Sequence, residues 1–161
     1  MSTSRRFWLF KSEPSCFSFS DLEKRPGGIE PWDGVRNFQA RNFLRDEIQP
    51  GDGVLFYHSG IVRPAVVGTA VVVRGGYPDG SALDPEGDAY DPRSTPENPI
   101  WYRVDVRYGT RFVREVTLEE IKGHPLLAGM ALLRRSRLSI QPISREEWEI
   151  IVRLGGVFEK V

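Results

Sequence analysis

The sequence predicts an α+β domain built on a bent mixed sheet or barrel with short peripheral helices. Three observations lead there. Apolar runs that read as strands are short and recur along the chain. The helical stretches between them are brief and start at capping residues. The regular strand–helix alternation that a doubly wound parallel sheet requires is missing. With 161 residues, 40% of them hydrophobic and 27% charged, the chain can bury one core unaided, and residues 1–161 are read as a single domain.

Each element has a local reason. The run Phe7-Trp8-Leu9-Phe10 reads as a buried strand, because apolar residues fill both parities. Ser20 and Glu23 have capping-box spacing and predict a short helix that Pro26-Gly27-Gly28 ends. Residues 37–45 read as a helix with Phe38 on its apolar side. Pro50-Gly51-Asp52-Gly53 is a turn into the strand 54–58. The valine-rich stretch 64–73 reads as a long strand with a bulge or bend at Gly68. Residues 75–99, rich in Gly, Pro and acids, predict a long surface loop. A strand resumes at 100–106, with Trp101, Arg103 and Asp105 on one face and Tyr102, Val104 and Val106 on the other. Thr117 with Glu120 caps a short helix before Gly123 and Pro125, residues 138–140 read as a late strand, and Ser144 with Glu147 opens a last helix ending at Gly155-Gly156.

Composition narrows the function. Lys plus Arg and Asp plus Glu are both 22, which excludes a highly basic nucleic-acid coat or an acidic tail as a description of the whole chain. Residues 51–110 carry 5 basic and 8 acidic side chains, while 111–161 carry 9 and 7, so one face can still be positive. The single cysteine, Cys16, forms no internal disulfide. No apolar run approaches the roughly 20 residues that cross a bilayer, and the apolar stretch after Arg5-Arg6 is too short for a signal peptide. The expectation is a soluble, cytoplasmic protein.

Catalytic signatures are missing: there is no nucleophile elbow, phosphate-binding loop, dinucleotide fingerprint or zinc-protease motif. Two histidines and one cysteine do not supply four zinc donors, and His124, ahead of Pro125, reads as structural. Neither a metal nor a cofactor is expected. Three polar groupings stand out. Trp32-Asp33-Gly34-Val35-Arg36-Asn37 combines an aromatic face with hydrogen-bonding groups; alternatively Trp32 is core and Asn37 an N-cap. Lys11-Ser12-Glu13-Pro14 and Tyr57-His58-Ser59-Gly60 end strands, where a pocket forms readily, or else they are self-capped turns. Arg134-Arg135-Ser136-Arg137 can meet phosphate oxygens or be a solvated face.

In combination these segments resemble the EVE domain family. The resemblance runs from Phe7 through Pro14, Trp32 through Asn42, Gly51-Asp52 and Phe56 through Ser59 to Tyr77-Pro78-Asp79, Trp101 through Val106, Met130, and Arg137 through Pro142 before Trp148. It implies a PUA-like fold, distantly related to YTH readers of methylated adenine. It also implies a non-catalytic module that binds a modified base in RNA or DNA, turned out of its stack. Carried over by motif, Trp32 is a stacking wall, and Asn37 and Ser12 address the base edge. Lys11, Glu13, Tyr57, His58 and Ser59 line or orient the pocket, and Arg134 sits at its mouth. Tyr57, Phe17 and Phe19 are the candidates for a second aromatic wall. Two alternatives come from other classes: a nucleoside-directed hydrolase or transferase using His58 and Glu13, and a protein-interaction domain docking through the loop 79–97.

Overall fold

A computed structural model describes residues 5–157, and Met1 through Ser4 of the signal-peptide reading lie outside them. Six strands form one mixed sheet: β1 (Phe7–Ser12), β2 (Ile29–Trp32), β3 (Gly53–His58), β4 (Ala65–Pro78), β5 (Tyr102–Thr117) and β6 (Ile140–Ile143). Their order is β2-β5-β4-β3-β1-β6, so the two edges are β2 and β6. Only β1 and β3 run parallel, in register from Phe7 opposite Gly53 to Ser12 opposite His58. The short helices are α1 (Phe19–Lys24), α2 (Phe38–Asn42), α3 (Leu118–Lys122), α4 (Ala131–Arg134) and α5 (Arg145–Leu154). A π-helical turn, Phe43–Glu47, extends α2. This is the bent mixed sheet with peripheral helices that the sequence predicts, and its ends remain open.

Both faces of the sheet are covered, which explains the unbroken apolar runs. Side chains alternate, so Trp8, Phe10, Val54 and Phe56 join Phe19, Trp32 and Val104 in one cluster. Phe7, Leu9, Leu55 and Tyr57 join Phe112, Ile121 and Trp148 in the other, under α3 and α5. Asp52, 3% exposed, pins the turn before β3: its carboxylate accepts from Trp8 Nε1 at 2.9 Å and from the Gln49 and Arg6 amides. These bonds satisfy a charge that burial alone would penalise.

Several boundaries differ from expectation. Helix α1 is capped by Ser18 with Asp21, two residues before the predicted Ser20 cap, and Ser20 instead accepts from Arg111. The earlier start puts Phe19 wholly inside. Strand β4 runs on to Pro78, and its register shifts on both sides of Gly68 when paired with β5. The close approach there needs glycine: a Cβ would lie 2.4 Å from the Phe19 ring and 2.6 Å from the Thr110 carbonyl. The segment after β4 is not a loose acidic loop. Asp79 and Asp91 are buried, and Asp91 accepts from Trp101 Nε1 at 2.7 Å. Strand β5 starts at Tyr102 and extends to Thr117, well past the predicted end. Strand β6 starts at Ile140, the last residue of the predicted late strand. The Thr117 cap and the Ser144–Glu147 capping box form where the spacing places them.

Candidate functional site: a cleft between the two sheet edges

A cleft of about 590 Å³ opens where the end of β1, the end of β2 and the turn before β6 meet. Of the nine residues to which the family resemblance gives a pocket role, five line it: Lys11, Ser12, Glu13, Trp32 and Ser59. Local bonds fix the β1 end. Ser12 Oγ donates to the Phe17 carbonyl at 2.5 Å, and the Ser59 amide donates to the Ser12 carbonyl at 3.0 Å. Gly60, at φ +69°, lets the Glu13 carboxyl approach within 2.9 Å of where a Cβ would stand.

The other four residues do not line this cleft. Asn37 caps α2, its Oδ1 accepting from the Ala40 amide at 2.9 Å. Tyr57 has the opposite parity from Phe56 on β3 and points into the far core, where burial pushes its hydroxyl up to about 12. His58 sits on the near face, but its Nε2 accepts from the Phe19 amide at 3.1 Å, and burial lowers its pKa. Arg134 borders a second concavity beside the first, with Asn37, Gln39 and Arg137.

Two rings form a corner in the cleft. Trp32 is 8% exposed, because Phe10 and Phe56 pack on it at 5.2 and 5.4 Å between centroids. Phe17 stands across from it at 6.0 Å with an interplanar angle of 84°. Of the three candidate second walls, Phe17 alone reaches the cleft. Phe19 is fully buried and Tyr57 faces away. The Arg25 guanidinium covers the Phe17 ring at 5.1 Å.

The matching family model is that of the EVE domain, over residues 6–154. The chain belongs to the EVE domain family. Thymocyte nuclear protein 1 of Gallus gallus is 40% identical over 164 residues, covering 91% of this chain and 67% of that protein. A hypothetical protein from Leishmania major superposes with a TM-score of 0.90 at 44% identity, covering 95% of this chain and 96% of its own. Human THYN1 protein, solved in complex with DNA containing 5-methylcytosine, superposes with a TM-score of 0.88 at 37% identity, over 96% and 99% of the two chains.

In this EVE domain the loop after Trp32 is held from below by one buried carboxylate. Asp79 accepts from the Gly34 amide at 2.9 Å, the Ser81 amide and hydroxyl at 2.9 and 2.6 Å, and Arg36 at 3.1 Å. Burial would raise its pKa, but these donors outweigh it and hold the carboxyl below its usual range. Arg36 also donates to the Ala89 carbonyl, tying the cleft loop to the segment beyond β4. Asp33, at the cleft wall, behaves oppositely: burial, then the neighbouring Asp79 charge, raises its pKa despite Arg103 at 3.6 Å. Lys11 donates from Nζ to the Ser136 carbonyl at 2.7 Å, and burial lowers its pKa.

Some lining residues escaped the sequence reading. Glu30 shares Trp32's parity on β2, so period-two alternation could have found it. Arg25 and Ser139 reach the cleft only through tertiary packing and carry no local signal. Among the described residues no group of three or more His, Cys, Asp or Glu is arranged to hold a metal ion, and no helix is long and apolar enough to cross a membrane.

Proposed function

We propose that this EVE domain is a non-catalytic module that receives a modified nucleobase of RNA or DNA in the cleft beside Trp32. The observation that carries the reading is the right-angled corner of Trp32 and Phe17, set among hydrogen-bonding groups at strand ends. A flat base laid on one ring meets the other edge-on, and aromatic stacking contributes about 1–3 kcal/mol per base. Extrusion from a duplex costs a few kcal/mol, so stacking roughly offsets it. Edge contacts then discriminate, because a buried donor left unpaired costs about 1–3 kcal/mol.

The roles divide by position. Phe17 presents the more open ring and Trp32 closes the back of the corner. Ser12, Ser59, Glu13 and Lys11 address the base edge or the sugar. The Asp33 carboxylate is suited to accept from an exocyclic amine, the group through which carboxylates read cytosine. Asn37, Tyr57 and His58 support the site through the α2 cap, the far core and the α1 amide. The human relative's complex with 5-methylcytosine DNA supports this reading and makes that base the first to try. The acid–base alternative is weaker, since the His58 Nε2 lone pair is committed to the Phe19 amide. The cytoplasm remains our assignment for where the module works.

The test is binding to single-stranded and duplex oligonucleotides carrying a panel of modified bases. Wild type is expected to prefer one modified base at least tenfold (about 1.4 kcal/mol) over its parent. Phe17→Ala and Trp32→Phe are expected to erode that preference while keeping the fold. A folded wild type with equal affinity for every base would end the reading.

A further inference from the structure

Beside the base cleft lies a smaller concavity of about 270 Å³, lined by Asn37, Gln39, Arg134, Arg135, Ser136, Arg137 and Leu138. The geometry points to this concavity as a phosphodiester subsite, taking a backbone phosphate next to the base held in the main cleft. The inference rests on the base-binding reading for its register, and on its own observations for its chemistry.

The first observation is charge without a partner. Several arginines close onto carboxylates, as Arg6 does on Glu47, Arg36 on Asp79 and Arg111 on Glu23, while Arg63, Arg107 and Arg153 stand singly on the surface. Arg134 and Arg137 are exposed and have no hydrogen bond or ion pair among the described residues, and no acidic side chain lines the concavity. In a chain with 22 acidic residues and no net charge, an acid-free hollow with three guanidinium groups is a local exception.

The second observation is that the turn bearing them is braced. Gln141 is fully buried, and its Nε2 donates to the Arg135 carbonyl at 3.1 Å and the Leu138 carbonyl at 2.8 Å. Lys11 Nζ holds the Ser136 carbonyl, and the Lys11 amide holds that of Ser139 at 2.9 Å. Arg135 donates to Gln39 Oε1, locking the turn onto α2. The carbonyls of Arg135, Ser136, Leu138 and Ser139 are thus all held by donors from β1 and β6. Arg134 and Arg137 are left to face solvent on a fixed frame, so little ordering is needed when an anion arrives.

The third is continuity. Arg137 lines both the concavity and the base cleft. A group bound by Arg134 and Arg137 therefore lies one step along from a base in the cleft, where a nucleic-acid strand carries its phosphodiester. Guanidinium forks match the non-bridging oxygens of that group, and a phosphate contact positions the strand without reading sequence.

The test uses the full chain and measures affinity for a short duplex, with and without 5-methylcytosine, across a salt series. Each phosphate neutralised contributes about 0.9 to the slope of log affinity against log salt. Arg134→Ala with Arg137→Ala is expected to lower that slope by about 1 on both duplexes. Arg134→Lys with Arg137→Lys is expected to keep most of the slope. Replacing individual phosphates by uncharged methylphosphonate is expected to reproduce the loss at one position beside the bound base, and to add nothing in the double-alanine protein. A slope unchanged by the alanine pair overturns the subsite. A slope reduced by the alanine pair, with a wild type that shows no preference for the modified base, keeps the subsite and removes the base-reading it adjoins.

Discussion

Asp79 does for the cleft loop what a metal ion does in other proteins: it gathers donors from segments far apart in sequence around one buried charge. Removing it strands the Gly34 and Ser81 amides and leaves Arg36 without its acid. Breaking a buried charge pair from one side costs about 3–5 kcal/mol, so Asp79→Ala is expected to lower unfolding stability by about 3 kcal/mol in denaturant titration. Base binding is expected to weaken with it, because the loop after Trp32 loses its support. His58 makes a pH-dependent contribution of definite sign. Its pKa is depressed in the fold from 6.5, so the folded state resists a proton that the unfolded chain accepts. Its contribution is complete above about pH 6.5 and is lost as pH falls towards the folded value. Urea titrations from pH 7.5 to 5 are expected to show that decline, and His58→Gln, which keeps an acceptor for the Phe19 amide, is expected to flatten it.

At the scale of elements, Gly68 is the most exacting position. A methyl group there collides with the Phe19 ring and with the Thr110 carbonyl, and the carbonyl is backbone that cannot swing aside. Gly68→Ala is expected to cost about 3 kcal/mol, at the upper end for overpacking, and to loosen α1 through Phe19; thermal unfolding reads the first effect and amide exchange in α1 the second. The glycine's importance was legible in sequence, as an interruption in a valine run. So were β1 and β3, whose apolar runs follow from burial on both faces, and the Ser144 box of α5. The start of α1 was not legible, because Ser18–Asp21 and Ser20–Glu23 offer the same spacing. What separates them is tertiary: Phe19 must reach the core and its amide must reach His58. Strand parity likewise decides the site. Tyr57 and His58 are adjacent in sequence yet lie on opposite faces, so a motif that names both does not bring both to one cleft wall. Asn37 carried two readings, and the cap is the one the backbone uses. The inward turn of Asp79 and Asp91 was hidden, because an acidic, proline-rich stretch looks the same whether its carboxylates face water or buried donors.

For the whole molecule, neutrality sets the style of binding. A chain without net charge exerts little long-range pull on a polyanion, so under the proposed function affinity is expected to come from the cleft and its immediate rim. The open ends of the sheet matter in the same way. The cleft is bordered by β2, one edge, and by the turn entering β6, the other, although four strands separate them in the sheet. The sheet curls until both margins border one cleft, like a barrel left unsealed along one seam. A ligand lodged in that seam touches both margins at once and couples two strands that share no hydrogen bond. Hydrogen–deuterium exchange is therefore expected to slow in β2 and in residues 137–143 together when a base binds, with β4 at the centre unchanged. Protection confined to one margin would mean that the ligand rests on the rim without spanning the seam. Simultaneous protection would make the nucleic acid the closing stave of the barrel.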